Sequence, residues 1–110
     1  MIAERIPLEG YNLIPENDTD RAVLESNKLK IDSRDICNAN TFLAALYLKI
    51  SNTDPARYYS FIAGFNEEEL QRMHKILEIA QYLYFSGQER ICKYIGLPYP
   101  NDGKDKEWNK

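Results

Sequence analysis

Between Ile36 and Phe65 the chain carries only three charged side chains, Lys49, Asp54 and Arg57. A tract so poor in charge has to be hidden by a core or by a partner. Its spacing selects helix. Ile36, Ala39, Phe42, Leu43, Leu46, Tyr47 and Ile50 recur at intervals of three and four, on one broad face, and Cys37, Ala44 and Leu48 form a second apolar flank. Apolar residues around so much of the circumference predict a central helix packed by several neighbours.

Local start signals divide this tract and the residues beyond it into separate helices. Asp32 or Ser33 offers a short polar side chain to the free amides of a helix start, with Ile31 and Ile36 placed as a hydrophobic staple. Thr53, Asp54 and Pro55 repeat the signal, proline standing where its missing N–H costs nothing, and predict a further helix bearing Tyr58, Phe61, Ile62 and Phe65 at spacings of three and four, with Gly64 as its stop signal. In Asn66-Glu67-Glu68-Glu69, Asn66 caps, Glu69 reaches back, and three carboxylates complement the positive helix end. Leu70, Met73, Ile76, Leu77, Ala80, Leu83 and Tyr84 then make a core stripe until Ser86-Gly87. A last short helix is predicted over residues 88–95, stopped by Gly96-Leu97-Pro98.

Residues 1–32 read differently. Ile2, Ile6, Leu8, Tyr11, Leu13 and Ile14 are too irregular for a helical face, and Pro7, Gly10 and Pro15 interrupt them, so short extended pieces around a Glu9-Gly10 turn are expected. Asn17 or Asp18 caps a short helix through Val23 and Leu24, and Leu29 and Ile31 form a third short strand. The resulting expectation is a mainly α fold: a small bundle of four to five short helices with a minor N-terminal extended or β element. Residues 1–100 make one domain, with 1–32 irregular and 33–100 helical, and 101–110 form a flexible polar tail whose one large apolar residue is Trp108.

Composition narrows the function classes. The formal net charge is -3, with eight acids and five bases in residues 1–35 and nine of each in the remainder. No basic run exists to neutralise phosphates, which disfavours nucleic acid as a partner. Ile91-Cys92-Lys93-Tyr94-Ile95-Gly96-Leu97-Pro98 resembles the first helix and turn of a helix-turn-helix, but Tyr99, Pro100 and the polar residues after them make a poor recognition helix. Two distant cysteines, Cys37 and Cys92, read as reduced thiols, and neither a signal peptide nor an apolar span is present, so a soluble, cytoplasmic protein is expected.

Motifs of catalysis are missing. The single histidine, His74, lies beside the apolar stripe, and no nucleophile signature surrounds it or Cys37. Asp18 and Asp20 alternate without the glycine of a calcium loop, and five scattered glycines make no phosphate-cradling motif. No metal, cofactor or small-molecule ligand is implied.

What is distinctive is the aromatic content, eight tyrosines, four phenylalanines and one tryptophan. Tyrosine at this density serves either a core boundary or a protein-binding face. Ile79 and Tyr82 point away from the core stripe and share a side with Lys75 and Glu78. A partner-binding face of Ile79, Tyr82, Phe85 and Lys75 is therefore expected, unless residues 1–32 cover it. The expected function is a non-enzymatic protein-interaction module, a small regulatory, accessory or inhibitor protein, with a homodimer as one form of that reading. Two alternatives stand beside it: a nucleic-acid-associated regulator using Arg57, Arg72, Lys75, Arg90 and Lys93, and a small hydrolase or nuclease using His74 with Cys37.

Overall fold

A computed structural model describes residues 1–98. A three-stranded antiparallel sheet in the order β1-β2-β3 lies against a bundle of five helices. Strands β1 (Ile2–Ile6) and β2 (Gly10–Ile14) form a hairpin in which Ile2 faces Ile14 and Ile6 faces Gly10. The turn between them runs through Pro7, Leu8 and Glu9, with the Glu9 amide donating to the Ile6 carbonyl at 3.0 Å and Leu8 in the left-handed region. Gly10 comes next at φ +129°, and a Cβ there would lie 2.1 Å from the Ile31 carbonyl oxygen. Only glycine lets the hairpin approach β3 (Leu29–Ile31) and the start of the next helix this closely. Across β2 and β3, Tyr11 faces Ile31 and Leu13 faces Leu29, and Leu13 and Ile31 are completely buried.

Helix α1 (Asp18–Leu24) is capped by Asn17, whose side chain accepts the Asp20 amide. Helix α2 (Ser33–Ile50) opens on a capping box between Asp32 and Asp35. Helix α3 (Pro55–Ile62) starts at Asp54, and α4 (Glu67–Phe85) on the Asn66 and Glu69 capping box, with donor to acceptor distances of 2.8 and 2.9 Å. Helix α5 (Glu89–Ile95) ends on Gly96 in the left-handed conformation. The starts of α1 to α4 each lie where a short polar side chain takes over a backbone amide, which is local chemistry. No described helix is long and apolar enough to cross a membrane.

The central position belongs to α4 rather than α2. Helix α4 packs against α1, α2 and α5, and it buries Met73, Ile76, Leu77, Ile79, Ala80 and Leu83, which lie on two faces. Helix α2 packs against α3 and α4, burying Ala39, Phe42, Leu43 and Ala45, while Ala44 remains exposed, Leu48 half-buried and Ile50 70% exposed. The expected second apolar flank of α2 is thus left largely uncovered. The tail 101–110 with Trp108, and Tyr99 and Pro100 before it, lie outside the described residues, as would any second helix of a helix-turn-helix.

Candidate functional site

The expected partner face on α4 is largely taken up inside the molecule. Ile79 is completely buried. The Tyr82 hydroxyl donates to Asp20 Oδ1 at 2.6 Å, so α1 covers this side of α4, the outcome that reduces Ile79 and Tyr82 to intramolecular packing. Lys75 pairs with Glu25 at 3.0 Å and approaches Glu78 at 3.9 Å. Phe85 alone among the four is an open apolar surface, 62% exposed, with its ring edge against Tyr84.

Beneath Tyr82 lies a polar cluster for which the sequence gives no direct signal. The Asp20 carboxylate is completely buried; besides the Tyr82 hydroxyl it accepts the Glu16 amide at 3.0 Å and pairs with the Met1 α-ammonium at 2.9 Å. That ammonium also donates to Glu16 Oε1 and Gln88 Oε1. Burial by itself raises the Asp20 carboxyl, but the Tyr82 hydroxyl, the Glu16 amide and the Met1 ammonium outweigh it and hold the group below its ordinary value. Burial likewise lowers the ammonium, and Glu16 and Asp20 reverse the direction, leaving it raised. Every buried side-chain polar atom among the described residues has a partner, and the cluster ties the N-terminus, α1, α4 and the α5 cap together.

The residues of a hydrolytic alternative are not assembled. Cys37 is exposed on α2, and His74 sets its ring edge against Phe42 with centroids 4.8 Å apart. His74 lines an open surface depression with Glu25, Glu68 and Glu78, of which Cys37 is no part. Cys92 is buried, its Sγ 3.6 Å from the Ala80 carbonyl, and burial, aided by Glu89, pushes its thiol up to about 11. No group of three metal-ligating side chains occurs among the described residues. The cations of the nucleic-acid alternative are dispersed over α3, α4 and α5: Arg57 pairs with Asp54, Arg72 with Asp35, and Lys75 with Glu25.

Apolar surface also lies open between α2 and α3. Helix α3 carries Tyr58, Tyr59, Phe61 and Ile62 and yet has no buried residue. Phe42 stacks on Tyr58 and Phe61, each at 6.1 Å, which anchors one side of α3 to the core. A groove of about 510 Å³ lies between the helices, lined by Ala44, Ala45 and Leu48 of α2 and Ala56, Ser60 and Phe61 of α3, with Thr41 and the Asp54–Arg57 ion pair also in its lining. Towards the C-terminal end of α2, the Lys49 ammonium stands over the Tyr58 and Tyr59 rings, 4.7 and 5.5 Å from their centroids.

No family model, curated protein or solved structure matches this chain.

Proposed function

We propose that this chain is a non-enzymatic protein-interaction module, and that its docking surface is the α2–α3 groove, occupied by an amphipathic helix of a partner protein. The observation that carries the reading is that α3 buries none of its residues fully and leaves Tyr59 54% exposed, while the facing Ala44 is exposed and Leu48 only half-buried. Small side chains at Ala44, Ala45, Ala56 and Ser60 let the backbone of an incoming helix approach closely, and two flanking ridges are the setting into which a third helix packs. Lys49 forms no ion pair among the described residues and is held by tyrosine faces, so the partner helix carries a carboxylate beside its apolar stripe.

A photo-crosslinker at Ser60, combined with affinity capture by the folded protein and by Ala44→Arg and Lys49→Glu, tests this. Expected are cross-links to an acidic amphipathic segment of another protein and loss of that capture by about tenfold or more in both variants. Cross-links only to a second copy of this chain, with a doubled solution mass, would replace the hetero-partner by a homodimer. Capture unchanged in both variants would remove the groove from the function.

A further inference from the structure

A second groove, of about 770 Å³, shares no lining residue with the α2–α3 face and has the opposite character. Four cations from four separate elements line it: Arg5 of β1, Lys30 of β3, Arg34 of α2 and Arg72 of α4. Only two carboxylates share the lining, and both have partners: Asp32 caps α2, and Glu9 meets Lys30 at 3.0 Å in a pair exposed on both sides.

The wall is rigid. Arg72 grips Asp35 with both ends of its fork, at 2.8 and 2.7 Å, and donates to the Lys30 carbonyl, which fixes α4 to α2 and to β3. Gly10 brings the hairpin hard against the β3–α2 junction. The strand register sets Arg5 opposite Tyr11, itself a lining residue. Arg5 and Arg34, by contrast, are exposed and meet no carboxylate within ion-pair distance among the described residues. Two uncommitted guanidinium groups beside a fixed third are suited to the paired oxygens of phosphate, which guanidinium engages through two parallel hydrogen bonds.

Extent decides which phosphate. Beyond Arg72 the surface turns into the depression that holds Glu25, Glu68 and Glu78 around Lys75, where three carboxylates outnumber the one ammonium and disfavour a strand continuing past the groove. We propose that this groove binds a compact oligophosphate, either inorganic or carried by a nucleotide, with Arg5 and Arg34 as its principal contacts and Lys30 released from Glu9 to join them.

Calorimetric titration of the full chain at low ionic strength with pyrophosphate, with a nucleoside diphosphate, with hexaglutamate and with a single-stranded oligonucleotide tests the assignment. Expected is saturable binding of pyrophosphate that Arg34→Ala and Arg5→Ala each weaken by about tenfold. Arg34→Lys, which keeps the charge and loses the fork, should recover only part of the loss, and Arg90→Ala, on α5 outside the groove, should change nothing. Tighter binding of the nucleoside diphosphate assigns the phosphate to a nucleotide, and equal binding assigns it to the phosphates alone; either supports the proposal. It is overturned by absence of binding for both, by hexaglutamate binding as tightly as pyrophosphate, or by the oligonucleotide displacing both with higher affinity. Because all substitutions are at exposed side chains, thermal melting of each variant should coincide with that of the parent.

Discussion

Replacing Tyr82 with phenylalanine removes one oxygen and keeps the ring, so no cavity forms and the whole effect falls on the buried Asp20 carboxylate. The lost bond is a 2.6 Å contact from a neutral donor to a charged acceptor, and Asp20 Oδ1 has no other donor among the described residues. Bonds of this kind contribute about 1.5–3 kcal/mol. Asp20 keeps the Met1 ammonium and the Glu16 amide, which places the expected cost of Tyr82→Phe in the lower half of that range, about 1.5–2 kcal/mol. For a domain of this size each kcal/mol lowers Tm by about 4–8 °C. Urea unfolding at neutral pH and again in acid, as far below the ordinary 3.8 of Asp20 as the protein stays folded, is the assay. The gap between parent and variant should narrow on acidification, because a protonated carboxyl accepts the phenol less strongly. A loss under about 0.5 kcal/mol at neutral pH, the scatter of ordinary surface changes, would refute the placement of Tyr82 in this cluster.

The pH profile of the parent rests on the same groups. Asp20 and Asp35, held below the ordinary 3.8, the latter by Arg72 and the Asp32 amide against its burial, contribute stability present above that pH and lost as pH falls through their folded values. The Met1 ammonium, raised above 8.0, contributes below that pH and loses its contribution as pH rises through its folded value, and Tyr82, raised above 10.0 by Asp20 and then by burial, does so at still higher pH. Stability should therefore form a plateau between about pH 4 and 8, and urea midpoints across that span measure it. Gly10→Ala should cost about 3 kcal/mol or more, since the new Cβ meets the Ile31 carbonyl and the Asp32 Cα while the backbone sits at φ +129°; an unchanged melting temperature would contradict this. In thiol labelling of the folded protein, Cys37 should react at once and Cys92 only on unfolding, as one equivalent before denaturant and two after it.

Much of the architecture is written locally. The starts of α1, α2, α3 and α4 are legible because Asn17, Asp32, Asp54 and Asn66 act on amides three residues away, within reach of a pattern read along the chain. The extended pieces of residues 1–14 are legible from their proline and glycine breaks, although the turn falls on residues 7–9 rather than on Glu9-Gly10, and the third strand and the core stripe of α4 are legible from spacing. Spacing also marks Ile79 and Tyr82 as apolar residues in need of cover, while giving no means to say what supplies it.

The cover comes from α1, through a bond between residues 62 positions apart, and that pairing depends on how a seven-residue helix is set down on α4. The basic groove is of the same kind. Arg5, Lys30, Arg34 and Arg72 sit in unremarkable local contexts, and the only sequence hint is that Arg34 and Lys30 flank a helix start. Capping and periodicity act within a turn or two of backbone, so the order of residues determines them. Which faces meet, which cations converge and which aromatic helix is left without a lid depend on contacts between elements distant in the chain, and only the packed molecule decides those.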